Sequence, residues 1–520
     1  MREPAARNAV STLVKSVRVH GACLEGTGAE SALVEARFDP ADLKRTEIHV
    51  TGLPDAVIRE ARGRVSCALA ESGLTLPTGR LYWNLVPAAR KKRGDALDLP
   101  LALAAAAACG HLDPRWLKNA LFYGALGIDG RLHAVPGGLA AGLAARALSL
   151  KSLIGAREAA VEAACVPGLA ALPGRHLGAI VAHLSKAGPR IEPLPPPVDG
   201  VEPALDRPSA LDEVRGHALA KRALMIAAAG GHGLLFIGPP GAGKSMLARR
   251  MLGLLPPPSF EERLEIGRVL SAAGLWPGGL ARRRPFRAPH HSASTIGLVG
   301  GGPRLSPGEI SLAHRGLLFL DELPEFRRET LESLRQPLEH GSILISRAGG
   351  RLQLPARFQL VAAMNPCPCG HRGHAQTPCR CSAREVDRYK RRLSGPLLDR
   401  IDLRLELRPP PLAELSGAAP IPNAISGDAL AERSHAARER ALARRGKPNA
   451  ALDADELDLD APLCGASRRL LLRAAADRQL SARALQSLRR VARTVADCAE
   501  AAEVTSDHLA EALALRAPWP

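Results

Sequence analysis

The sequence predicts an α/β protein. Its centre is a parallel sheet with flanking helices, a second α/β domain precedes it, and a helical domain follows. Three observations carry this expectation. Gly238-Pro239-Pro240-Gly241-Ala242-Gly243-Lys244-Ser245 reads G-x-x-x-x-G-K-S, between an apolar run at 233–237 and a helix-like segment at 246–252. A second apolar run, Gly316-Leu317-Leu318-Phe319-Leu320, ends in Asp321-Glu322. Beyond Pro409-Pro410-Pro411 the chain turns helical.

Taken in order, residues 1–188 form the N-terminal domain. Residues 46–50 and 81–86 read as strands, 55–72 and 99–109 as helices, and 124–132 as a strand with a tight turn. Residues 189–208, with Pro193, Pro195, Pro196, Pro197 and Pro203, read as an extended linker. Residues 209–408 hold the nucleotide motifs. Residues 409–520 suit helices at 429–446, 467–479, 482–499 and 506–515, and Thr505-Ser506-Asp507 offers an N-cap to the last. A helical domain after such a core is the layout of a lid.

Composition narrows the partners. Seventy Lys and Arg against 52 Asp and Glu leave a formal charge of +18. Three readings fit: a polyanionic partner such as nucleic acid, an acidic membrane surface, or an arginine-biased composition, since the arginines are dispersed. Aromatic residues make up 3% of the chain, too few for extensive base stacking. No apolar run reaches about 18 residues, so no membrane helix is expected. The N-terminus lacks the apolar stretch of a signal peptide, and the expected location is cytoplasmic. Ten cysteines are then not a disulfide framework. Cys23, Cys67, Cys109, Cys165, Cys464 and Cys498 read as ordinary buried thiols.

The motifs specify chemistry. Gly238 to Gly243 would wrap backbone N–H groups around phosphates at a helix N-terminus, where negative charge is favoured. Lys244 would reach the β- and γ-phosphates, and the Ser245 hydroxyl would hold Mg²⁺. Asp321 would hold Mg²⁺ through water, and Glu322 would orient or deprotonate the attacking water. The 76 residues from Ser245 to Asp321 include Arg282, Arg283, Arg284 and Arg287. This stretch reads as a flexible basic insertion, and these arginines are its candidate DNA contacts; the alternative is a solvated charged loop. Asn365, ending the run 358–364, could bond the attacking water or the γ-phosphate. Arg400 stands just before another strand-like run and suits a finger acting on a neighbour's nucleotide. Arg483 opens a lid helix and is read as touching the γ-phosphate of its own subunit. Cys367, Cys369, Cys379 and Cys381 form two C-x-C pairs. They fit either one tetrahedral Zn²⁺, with His371 and His374 as substitute ligands, or reduced thiols.

Several runs resemble the magnesium-chelatase-like AAA+ proteins of the YifB/ComM type. They are Ala227-Ala228-Ala229-Gly230-Gly231-His232, Phe286 to Ser294, Pro307 to His314, Asn365 to Gly370, Leu393 to Asp402, Leu480 to Arg483 and Val491 to Asp497. The resemblance implies an AAA+ core with a helical lid, assembled as a hexameric ring on DNA. It places Lys244 and Ser245 at phosphate and Mg²⁺, Asp321 and Glu322 at metal and catalytic base, Asn365 at the first sensor, Arg400 at the trans-acting finger and Arg483 at the second sensor. Residues 84–88 and 98–103 resemble the family's Lon-protease-like domain. Asp95-Ala96-Leu97-Asp98 offers no serine, so a non-proteolytic platform is expected. The first 45 residues depart from the family's pattern.

The resulting expectation is an ATP- and Mg²⁺-dependent motor on branched or single-stranded DNA, a branch-migration helicase of recombination and natural transformation. The alternatives are a magnesium-chelatase-like motor subunit that remodels a protein partner and, behind it, an ATP-dependent protease.

Overall fold

The computed structural model describes residues 16–518 except 90, 93, 198–206, 303–305, 348–349, 374–376 and 410–424. His374, Pro203, Pro410 and Pro411 therefore lie outside the described residues. Among the described residues, no helix is long and apolar enough to cross a membrane.

The N-terminal half is organised by a seven-stranded mixed sheet. Its order is Glu47–Thr51, Gly79–Val86, Gly28–Pro40, Val17–Glu25, Ala120–Tyr123, Ser152–Ala156, Ala170–Gly174. Val17–Glu25 and Gly28–Pro40 form an antiparallel hairpin at its centre, turning at Gly26 with φ +62°. These strands fall within the first 45 residues, where the sequence offered no motif, and they supply the middle of the sheet. The helix Asp98–Ala108 is buried along its whole length. Gly21 lets the start of this helix lie close to the sheet: a Cβ there would sit 2.8 Å from Leu97 and 2.9 Å from Pro100.

The second sheet has five strands, all parallel, in the order Phe286–Arg287, Leu317–Leu320, Gln359–Met364, Leu234–Ile237, Leu403–Glu406. Leu234–Ile237 and Leu317–Leu320 are buried at every position, as strands covered on both faces must be. Alternate residues serve different cores. Leu234, Phe236, Leu317, Phe319, Val361 and Ala363 face one, and Leu235, Ile237, Leu318, Leu320, Leu360 and Ala362 face the other. The first core also takes Leu488, Val491 and Val495 from the C-terminal helix Ala482–Cys498. The helical C-terminal region is thereby fused to one face of the sheet.

The long gap before Leu317–Leu320 is not a flexible insertion. It contains the helix Phe260–Ala272, opened by a capping box between Ser259 and Glu262, and the edge strand Phe286–Arg287. That helix also meets the N-terminal half. Leu264, Trp276 and Leu280 pack with Leu139 and its neighbours, and buried Glu162 accepts hydrogen bonds from Ser271 Oγ and the Leu139 N–H. Of the six scattered cysteines, Cys23 and Cys165 are buried, whereas Cys67 and Cys464 are exposed. Cys464 caps the helix Gly465–Arg478 through the Ser467 N–H, a use its sequence does not announce.

Candidate nucleotide site

Strand register decides what meets at the site. Ile237 pairs with Met364, and Leu320 with Ala362. The three central strands therefore end together, and the residues that follow them, Gly238, Asp321 and Asn365, emerge on one edge. Gly241 and Gly243 hold φ of +79° and +77°, the left-handed conformation that a phosphate-wrapping turn demands. The helix Lys244–Arg250 starts directly after them.

Lys244 is buried, and its ammonium donates to the carbonyls of Gly238 (2.7 Å) and Pro239 (2.9 Å) and to Asn365 Oδ1 (3.0 Å). Burial depresses its pKa, and the charges of Asp321 and Glu322 oppose that shift. Ser245 Oγ donates to Asp321 Oδ2 at 2.6 Å. A hydroxyl and a carboxylate at that separation are hard oxygen donors suited to one Mg²⁺. Asp321 Oδ1 accepts from the Glu322 N–H at 2.9 Å. Glu322 itself has φ +50°, a strained choice for a residue with a Cβ. The strain turns its carboxylate away from the strand axis and toward His291, whose Nδ1 lies 3.1 Å from Glu322 Oε2. The rings of His290 and His291 lie 4.1 Å apart, tilted by 34°, and with Ser245, Asp321 and Glu322 they line a cleft of about 630 Å³. The sequence reading gave His291 no role. Its signal in the sequence was its place in the family-resembling run Phe286 to Ser294, which assigns no chemistry to it.

The arginines lie elsewhere. The Leu403 N–H donates to the Gly233 carbonyl, and the Arg400 carbonyl approaches Gly233. This is the start of Leu234–Ile237, whereas the glycine loop follows its end, about 16 Å away at 3.3 Å per residue. Arg400 pairs with Glu339 and donates to the Pro396 carbonyl. Arg483 reaches the same Glu339 at 3.4 Å. Ser481 Oγ, just before it, donates to Asp399 Oδ2, and Ser487 Oγ donates to Asp402. Buried His232 bridges Asp402 and Thr494, so this part of the lid is bolted to the far end of the sheet. The expected contact of Arg483 with its own subunit's nucleotide is therefore not met. The helix that carries it docks beside Arg400.

The candidate DNA contacts also change. Arg284 is half-buried, pairs with Glu262 and donates to the Pro256 and Arg315 carbonyls. Arg287 forms a two-pronged pair with Glu309. Arg282 and Arg283 are engaged within the chain as well. The run is a brace that holds the edge strand to the helix Phe260–Ala272; only Arg282 remains exposed.

The four cysteines converge. Their sulfurs lie within 4.8 Å of one another, with Cys367 to Cys369 at 3.4 Å and Cys367 and Cys369 each 3.6 Å from Cys379. Zn–S bonds of about 2.3 Å set the edges of a tetrahedron at about 3.8 Å, so the cage fits one ion closely. A cysteine disulfide needs about 2.05 Å between sulfurs, and all four are free thiols. His371 is not part of the converging set.

Comparison with known proteins bears on the whole arrangement. The family model "Magnesium chelatase, subunit ChlI" matches residues 210–415, "Subunit ChlI of Mg-chelatase" matches 35–159, and "Magnesium chelatase, subunit ChlI C-terminal" matches 425–516. The uncharacterized protein YifB of Escherichia coli is 43% identical over 90% of this chain and 91% of its own length. Competence protein ComM of Haemophilus influenzae is 41% identical over 92% and 95%. The DNA replication licensing factor MCM3 of Gallus gallus is 26% identical over 30% of this chain and 19% of its own. With a nucleotide loop, a paired acid and a lid joined to one parallel sheet, and with likeness along nearly its whole length, the chain belongs to the YifB/ComM family of magnesium-chelatase-like AAA+ proteins.

Proposed function

We propose that the protein is an ATP-hydrolysing ring motor whose nucleotide sites are completed between neighbouring copies. One observation carries this reading: the site is divided between the two ends of one sheet. Lys244, Ser245, Asp321, Glu322 and Asn365 stand at one end, and Arg400 and Arg483 are tied to Glu339 beside the other. A neighbour packed head to tail would bring its arginines to this chain's phosphates, and such heterologous contacts close into rings. Arg400 and Arg483 would then stabilise charge that develops on the transferred phosphoryl group.

Within one copy, Lys244 exchanges its carbonyl partners for phosphate oxygens. Ser245 and Asp321 hold Mg²⁺, which neutralises charge on the β- and γ-phosphates when bound. Glu322 accepts a proton from the attacking water, and Asn365 orients that water. His291 positions the Glu322 carboxylate. The four cysteines, all soft donors, hold Zn²⁺.

The substrate polymer proposed is DNA, and the motion is branch migration of paired strands, in a hexamer. The printed names of two relatives support it, a competence protein and a replication licensing factor. The +18 charge also agrees. The test is ATP hydrolysis and Holliday-junction movement by the full chain, with and without DNA, beside Lys244→Ala. Junction movement that needs both ATP and Lys244 is the expected result; indifference of the assembled ring to every DNA form overturns the DNA assignment. That indifference would favour the second reading, a motor subunit acting on a protein, which the chelatase descriptions of the family models support. Proteolysis has no support in the residues: positions 95–98 carry no hydroxyl nucleophile, and Asp98 is paired with Arg64 at 3.0 Å.

A further inference from the structure

The cysteine cage and the glycine loop touch, and neither motif requires the other. Asn365, whose side chain holds Lys244, precedes Cys367 by two residues. Residues 367–370 form a turn closed by the Gly370 N–H on the Cys367 carbonyl at 3.0 Å. Gly370 has φ +82° and lies flat on the nucleotide loop. A Cβ there would stand 2.7 Å from Pro240 Cδ and 3.9 Å from Asn365 Cγ.

The second pair of thiols holds Asn365 from another side. Cys381 is followed by Ser382, whose capping box with Glu385 opens the helix Ala383–Lys390. Tyr389 of that helix is buried beside the Asn365 backbone, which opposes the upward pull of burial on its pKa. The turn and the helix therefore converge on Asn365, and the four sulfurs sit where their two connections meet. The Cys369 N–H donates to Cys381 Sγ at 3.4 Å, joining the two C-x-C pairs directly. Between the pairs, the described residues contain no helix or strand. A metal ion is the strongest link that this stretch offers, because it closes the loop and fixes both pairs at once.

We propose that the metal held by Cys367, Cys369, Cys379 and Cys381 is a strut for the nucleotide site. It fixes the turn that seats Gly370 on Pro240 and thereby holds Asn365 against Lys244. This rests on reading the cluster as a metal site. The two metals would not compete, since thiolates select zinc and the hydroxyl–carboxylate pair selects magnesium. Because both sites bias one local arrangement, their coupling must be reciprocal: zinc tightens ATP, and ATP tightens zinc by the same factor.

The experiment uses the full chain as purified. Zinc is counted by elemental analysis, affinity is measured with a fluorescent ATP analogue before and after chelation, and zinc release to a chromophoric chelator is timed with and without ATP. The expected result is about one zinc per chain. Its removal should weaken ATP by about tenfold, re-addition should restore affinity, and ATP should slow zinc release. Lys244→Ala should keep its zinc and lose the protection by ATP. Absence of any bound metal overturns both the metal reading and the strut. Zinc that can be removed with ATP affinity unchanged within about twofold, and with release indifferent to ATP, overturns the strut alone. If circular dichroism shows that stripped protein unfolds, Gly370→Ala decides. This variant keeps every ligand but presses on Pro240. Full zinc with weakened ATP binding supports the strut, and full zinc with unchanged ATP binding overturns it.

Discussion

The two ends of the five-stranded sheet differ in the chemistry of the polar side chains they gather. At the end after Ile237, Leu320 and Met364, Lys244 is held by carbonyls and Asn365, and Ser245 by Asp321. At the end before Leu234, Arg400 and Arg483 converge on the single carboxylate of Glu339. The first end is a phosphate and magnesium site with its partners in place. The second carries two cations on one anion: Arg400, largely covered, and Arg483, partly exposed. On the ring reading proposed above, the two ends supply different halves of one site, and one copy would not be a complete catalyst.

The largest effect should come from breaking the second end. Arg400→Ala should lower ATP hydrolysis by about 10³-fold or more while ATP binding persists, checked by steady-state turnover beside a fluorescent-nucleotide titration. The sharper form mixes variants. Lys244→Ala and Arg400→Ala are each inactive alone, yet mixed rings should recover part of the activity, because some interfaces pair an intact loop with an intact finger. No recovery at any ratio, in rings shown to mix, would break the comparison.

At the first end, Glu322→Gln should reduce turnover by about 10²- to 10⁴-fold and leave ATP bound in the assembled protein. Normal turnover would remove Glu322 from the base role. His291→Ala should act more weakly, lowering kcat several-fold with KM for ATP nearly unchanged, because His291 touches the carboxylate of Glu322 and not the glycine loop. A change confined to KM would count against the positioning role. The smallest effect belongs to Glu339→Gln. It frees both arginines from a half-exposed carboxylate, where an ion pair contributes little, and should shift turnover by no more than about threefold.

Much of the first end was legible in the sequence, because its residues sit in short motifs that chain connectivity holds together. The glycine loop needs only local φ values and a helix start. Asp321-Glu322 needs only the end of a buried strand. Other features depended on distant partners. Arg284 and Arg287 read as free charges, yet Glu262 and Glu309, each 22 residues away, neutralise them. Arg483 read as a lid residue over its own nucleotide; the His232–Asp402–Thr494 network sets the lid's docking and turns it the other way. His291 lacked a signal because its role is a contact across strands. The hairpin of Val17–Glu25 and Gly28–Pro40 was missed for a similar reason, since it matches no motif and is recognised only by its central place in the sheet.

By itself, then, the sequence determined the family, through resemblance along most of its length, and the α/β class, and it offered residue types suited to phosphate, magnesium and a base. Those residues stand in short motifs whose spacing along the chain no packing can change. Tertiary structure decided which of those residues share an end of the sheet, which arginines are spent on internal carboxylates, and that four cysteine sulfurs stand within 4.8 Å of one another beside the nucleotide loop. The physical reason is strand register. Pairing of Ile237 with Met364 and of Leu320 with Ala362 brings three strand ends together, and pairing of Leu234 with Leu403 sends the Arg400 backbone to the opposite end.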